Sequence, residues 1–415
     1  MKILMLSWEY PPLSHGGLAR HVEDLSQALV KQGHSLYIIT RGEKNISKRE
    51  TINGVNIIRT DPVKISANNF IDEILHLNFQ MLTETFKVTN EIGDIDLIHA
   101  HDWLSFWAAK VLKHSLLKPL IVTIHATESG RHQGIYNELQ RYINDTEWYA
   151  CFEAWKVIVC SNYMQREVKS LFQVPHDKIA VIENGVNAEN FQNDCEPEFR
   201  DKYASPAEDI IFYIGRLVRE KGVQVLIQAM PKILQDNPDT KLVVAGKGGF
   251  LDNLKSQAKF LGIEDRIYFT GFVSDEERNK LYQAADLAVF PSFYEPFGIV
   301  ALEGMTTGTP VVVSDVGGMG DFVENGVTGL KVPPNNPYQL AEAVQYILNN
   351  RKAAAGMAER AINLVEEEFN WKKIAEKTIK VYQEILDEYQ QSEWNKDNYE
   401  EYLNKEQVQT GFKYI

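Results

Sequence analysis

Short apolar, β-branched runs alternate with longer segments of helical period along most of this chain, and the alternation occurs twice. In the first half the candidate strands are Lys2–Ser7, Ser35–Thr40, Val55–Arg59, Asp96–Ala100, Leu120–Ile124, Val157–Cys160 and Ile179–Ile182. Several are apolar on both faces, as parallel strands covered by helices on each side must be. Between the first two, Val22, Leu25 and Leu29 recur at helical spacing, and the pattern stops near Gly33. Strand, loop, helix, strand is the βαβ unit of a doubly wound sheet, so the fold class is α/β.

The rhythm breaks over residues 187–208, which are polar, contain proline and lack periodic apolar positions. A second series starts at Ile210–Ile214 and runs through Leu242–Ala245, Ile267–Phe269, Leu287–Phe290, Pro310–Ser314 and Gly329–Val332. At roughly 100–200 residues per domain, 415 residues suit two domains. The expected organisation is a first domain over 1–190, a linker over 191–208 and a second domain over 209–370. A helix follows over 371–389, with Trp371, Ile374, Thr378, Val381, Ile385 and Tyr389 on one face. The tail, 390–415, is acidic and weakly periodic. Two such domains imply a cleft, and the carboxyl ends of parallel strands are where ligands bind.

Composition excludes several classes. Asp and Glu number 57 against 43 Lys and Arg, a formal net charge of −14. That balance argues against a nucleic-acid or anionic-membrane partner, both of which need clustered cations. Three cysteines (Cys151, Cys160, Cys195) with no CxxC spacing give no disulfide framework and no structural zinc site. The opening MKILMLSWEYPP has too short an apolar run for a signal peptide, and no stretch approaches the ~18–20 apolar residues of a membrane span. These features point to a soluble, cytoplasmic protein; they leave its oligomeric state open.

Four constellations carry the chemistry. Gly16 and Gly17 lie between the first strand and the first helix, where free amides attract an anion. A tight turn explains a glycine pair equally well, and no G-x-G-x-x-G is present to support a dinucleotide enzyme. Arg216 and Lys221, in GRLVREKG, follow the first strand of the second domain and suit a diphosphate, although charged helix starts are commonly just solvated. The most specific group is Glu295 and Glu303 in PSFYEPFGIVALEGM. Pro296 and Gly298 suggest a helix start there, with one carboxylate in the loop and one on the helix. Finally His99, His101, Asp102 and His125 end two apolar strands. Their spacing matches no zinc pattern, so no metal is expected. Asp94-Ile-Asp96 resembles a metal-binding DxD but sits before its strand, at the wrong end of the sheet.

Taken together, WEYPP…GGL, HAHDW, TIHATE, GRLVREKG, GFVSDEE, the E-x7-E from Glu295 to Glu303 and DVGGMGDFVENGVTGL resemble family 4 of the retaining glycosyltransferases, over nearly the whole chain to about residue 389. The opening segment and HATESGRHQG look most like glycogen or starch synthase-like members. The resemblance implies the GT-B architecture, two Rossmann-like domains facing across a cleft. It implies that Gly16, Gly17, Arg216 and Lys221 hold a donor diphosphate and that Glu303 binds the ribose. Glu295 with Phe297 and Gly298 would hold the donor sugar. His125 and Asp102 would lie near the transferred sugar, and Gly246, Phe272 and Val273 near the base. Catalysis would fall to His125, Arg216, Lys221 and Glu295, without metal or other cofactor, by a same-face route with the phosphate as base.

The leading expectation is therefore glucose transfer from ADP- or UDP-glucose to an α-1,4-glucan. The alternatives are a small sugar, a sugar phosphate or a lipid-linked acceptor on the same fold, or a nucleotide-sugar epimerase, which would not require the E-x7-E motif.

Overall fold

The computed structural model describes residues 1–14, 16–62, 69–191 and 196–395. Within them the chain divides into two compact units. One comprises 1–160, 165–182 and the chain from Ile374 onward; the other comprises 161–164 and 183–373. His15, Cys195 and the tail beyond residue 395 lie outside the described residues.

Among its described residues the first unit holds eight strands: β1 (Lys2–Ser7), β2 (Ser35–Thr40), β3 (Arg49–Ile52), β4 (Val55–Arg59), β5 (Leu97–His101), β6 (Leu120–Ile124), β7 (Lys156–Val159) and β8 (Ile179–Val181). Their order is β3-β4-β2-β1-β5-β6-β7-β8. Among the described residues the one antiparallel ladder is β3–β4. It closes through Asn53 and Gly54, both at positive φ, the geometry of a tight hairpin turn. The sequence reading had no strand at β3, whose burial pattern is mostly exposed. Ile3 to Leu6, Ile38 and Ile39, Leu97 and Ile98 and Leu120 to Val122 are fully buried, as strands with helices on both faces should be.

The second unit holds β9 (Asp209–Ile214), β10 (Thr240–Ala245), β11 (Ile267–Gly271), β12 (Leu287–Phe290), β13 (Val311–Ser314) and β14 (Leu330–Val332), in the order β11-β10-β9-β12-β13-β14. Its core gathers Ile211 and Tyr213, Val244, Val289, Leu226 and Ile347.

The long final helix, Trp371–Gln391, buries Ile374, Thr378, Tyr382 and Ile385. Within 187–208 the described residues include a 3-10 turn (Ala188–Phe191) and a short helix (Pro197–Asp201). No described helix is long and apolar enough to cross a membrane.

Both orders place a switch of winding direction beside the first strand of the sheet. Crossovers run from β1 outward to β2 and β4 on one side and resume at β5 on the other; β9 is flanked in the same way by β10 and β12. The loops after β1, β5, β9 and β12 therefore diverge, and such points form ligand crevices.

Candidate functional site

In the first unit, three loops meet at the switch point. Gly16 caps the helix Gly17–Lys31 with extended backbone and no side-chain cap. One turn into that helix is His21, which the sequence reading passed over. Its ring lies 4.6 Å from that of His125 and 5.4 Å from that of His101, centroid to centroid. His101 Nδ1 and His125 Nε2 are 3.1 Å apart, with the rings nearly parallel. Burial pulls the His101 pKa well below its usual value. Burial, aided by the Arg131 charge, lowers that of His125 to about 3. These imidazoles are therefore neutral near pH 7, suited to exchanging hydrogen bonds with hydroxyls rather than pairing with a phosphate.

Asp102 follows β5 at φ 57°, ψ 177°, a backbone region that is nearly exclusive to glycine and costs about 1–3 kcal/mol. Two bonds hold it there: its N–H donates to Thr123 O at 2.9 Å, and its Oδ1 accepts the His125 N–H at 2.7 Å. The carboxylate thus fixes the backbone that carries His125. Burial raises its pKa to about 6, against the Arg131 charge and the backbone bond. His99 does something else. Its Nδ1 meets the Tyr382 hydroxyl and its Nε2 the Thr123 hydroxyl, each at 2.7 Å, which spends both nitrogens on tying the final helix to the sheet.

Asp94 and Asp96 belong to the opposite end of the sheet. Asp94 pairs with Lys118 at 2.7 Å, and Asp96 accepts the Lys2 N–H at 2.7 Å.

In the second unit the central feature is an ion pair. Lys221 Nζ lies 2.6 Å from Glu295 Oε2, and the Ser292 hydroxyl donates to the same oxygen at 3.2 Å. Lys221 closes a 3-10 turn after β9, and Glu295 lies in the loop after β12. The two loops are stitched by the Phe293 N–H donating to Glu220 O at 2.7 Å. Glu295 is only 8 % exposed, so the pair is largely desolvated and each member depends on the other. Arg216 differs: its side chain is 55 % exposed and leans on Glu220 at 3.7 Å.

Gly298 initiates the helix Ile299–Thr306 at φ 102°, with no side-chain cap; the Ala301 N–H turns back to Gly298 O at 2.9 Å, and the two amides before it are left to a ligand or solvent. A Cβ there would fall 2.4 Å from Met319 Cγ. Phe297 is buried against Phe322 and Phe369. Gly246, after β10, sits so close to Gly215 that a Cβ would lie 1.9 Å from its carbonyl oxygen. Beside it Phe272 is 73 % exposed with Lys247 over its ring at 5.6 Å, while Val273 is buried.

Glu303 takes different partners from Glu295. It is 2 % exposed, with Arg278 Nη1 3.7 Å from Oε1 and the Tyr282 hydroxyl 3.2 Å from Oε2. Arg278 and Tyr282 come from the helix Asp275–Ala284 and escaped the sequence reading. A buried acid requires such partners, but nothing in the spacing identifies them.

Comparison with known proteins bears on what these groups do. Residues 15–190 match the family model described as Glycosyltransferase Family 4, and residues 196–364 match Glycosyl transferases group 1. An uncharacterised glycosyltransferase of Methanocaldococcus jannaschii is 39% identical over 92% of this chain and 98% of its own. A glycogen synthase of Mycobacterium tuberculosis is 36% identical over 92% of this chain and 94% of its own. The solved structure of sucrose-phosphate synthase from Thermosynechococcus elongatus superposes with a TM-score of 0.80 at 27% identity, covering 92% and 98% of the two chains. The chain is a member of glycosyltransferase family 4, with the GT-B fold.

Proposed function

We propose that this glycosyltransferase moves glucose from ADP- or UDP-glucose to an α-1,4-glucan with retention of configuration. The observation that carries the donor half is the Lys221–Glu295 pair at 2.6 Å at the switch point of the second unit. The pair sets a desolvated ammonium beside an uncapped helix start. Such preorganised charge is what a departing diphosphate needs. Lys221 and the exposed Arg216 neutralise it in place of a metal ion. Glu295 orients Lys221 and, with the Phe297 and Gly298 amides, receives hydroxyls of the donor sugar. Glu303 accepts from the ribose, and Gly246, Phe272 and Val273 flank the base.

In the transfer, the bond between the anomeric carbon and the diphosphate oxygen breaks. The incoming acceptor hydroxyl gives its proton to that diphosphate and bonds the carbon on the same face. His125, held by Asp102, hydrogen-bonds the transferred sugar as a neutral imidazole.

The acceptor half rests on the glycogen synthase relative. The sucrose-phosphate synthase match favours a second reading with a small sugar or sugar phosphate as acceptor. Measuring nucleotide release from a panel of nucleotide sugars, with glycogen, with sugar phosphates and with neither, decides between them. Glucan-dependent release from ADP- or UDP-glucose is expected. Release dependent only on a small acceptor selects the second reading, and none from any donor removes both.

A further inference from the structure

The three rings that meet in the first unit have a property beyond hydrogen bonding. His21, His101 and His125 each offer a nitrogen, and these atoms all lie within 4.8 Å of one another. The 3.1 Å between His101 Nδ1 and His125 Nε2 is close to the edge, about 3.3 Å, between two nitrogens bonded at about 2.0–2.1 Å to a tetrahedral ion. His101 is wholly buried, and its Nδ1 faces His125 Nε2 directly. His125 is only partly buried, which leaves a way in. Three imidazoles with an open fourth position are a ligand set for a borderline divalent ion, not for Mg²⁺, which prefers oxygen. Asp102, bonded to the His125 N–H, favours a cation here, whereas Arg131 opposes it.

We propose that His21, His101 and His125 form a binding site for Zn²⁺ or a similar transition ion, and that filling it inhibits transfer. The inhibitory half rests on the role given above to His125, because a coordinated ring is withdrawn from the sugar. The binding half does not.

The test uses the full chain, stripped with EDTA and freed of chelator. Co²⁺ should bind with a stoichiometry of one and give the visible absorption of a tetrahedral site, displaced by Zn²⁺. His21→Gln and His101→Gln should each weaken binding at least ~10-fold, the scale seen even for residues that only support a metal ligand. His114→Gln, on the surface, should leave it unchanged. X-ray absorption at the zinc edge of the unmodified chain avoids any folding defect in the variants. Three imidazole nitrogens at about 2.0–2.1 Å are expected. A shell of carboxylates or thiolates, or Co²⁺ binding indifferent to His21→Gln, overturns the site. Full occupancy by Zn²⁺ without loss of transfer overturns the inhibitory half alone.

Discussion

The two switch points are built alike and furnished oppositely. In the first unit the groups at the strand ends are neutral imidazoles and a desolvated carboxyl, held by ring-to-ring contacts and by bonds to the backbone. In the second, Lys221 Nζ is paired with Glu295 Oε2 at 2.6 Å, and a guanidinium reaches solvent nearby. Similar crevice geometry is therefore suited to different ligand chemistry. Uncharged, buried rings suit hydroxyls, whose hydrogen bonds need no countercharge. Fixed cations suit a diphosphate, which gains most where water is excluded. The contrast suits hydroxyl ligands to the groups of the first unit and an anion to those of the second.

The largest expected effect tests the charged side. Lys221→Ala should lower transfer at least ~100-fold, the scale for losing one preorganised charge stabiliser. It also strands Glu295, so the double variant Lys221→Ala/Glu295→Gln should recover stability without recovering rate. Steady-state kinetics together with denaturant melts separate the two, and a single variant within a few-fold of wild type would erase the contrast. Glu303→Ala should cost a similar factor in rate.

On the neutral side, His125→Gln should cost about 10-fold, the worth of roughly one hydrogen bond near its upper range. A loss larger than that of Lys221→Ala would reverse the assignment.

Asp102 sharpens the comparison through stability. Asp102→Ala removes the acceptor for the His125 N–H and should cost about 1–3 kcal/mol. Asp102→Gly loses the same bond but relaxes the strained backbone, so it should be the more stable of the two by at least about 1 kcal/mol. Equal urea midpoints would show that the strain carries no energy.

The smallest effect is none. Excess EDTA should leave the transfer rate of the wild-type chain undiminished, since Arg216 and Lys221 supply the charge. Loss of activity with chelator, restored by Mg²⁺ or Mn²⁺, would place an essential cation on the reaction path.

Much of the second site was legible before the fold. Glu295, Gly298 and Glu303 lie within one short segment, and proline and glycine chemistry places a loop and a helix start at fixed offsets within it. Strand ends were legible too, because apolar runs locate His101, Asp102, His125 and Arg216 at carboxyl ends to within a residue. The hairpin at β3 was missed although Asn53-Gly54 signalled it, since Arg49–Ile52 carries little apolar alternation. His21 was missed for a different reason. It sits on a buried helical stripe with Val22 and Leu25, where one polar residue looks like ordinary core.

The sequence by itself determined two parallel-sheet domains and the local chemistry of each loop, because periodicity and turn residues act over a few positions. Only the tertiary structure decided who meets whom. The Lys221–Glu295 pair, the Glu303 contacts to Arg278 and Tyr282, the His21–His101–His125 cluster and the strained Asp102 all join elements far apart in the chain. Their proximity follows from strand order and register, which fix distances that no spacing along the chain encodes.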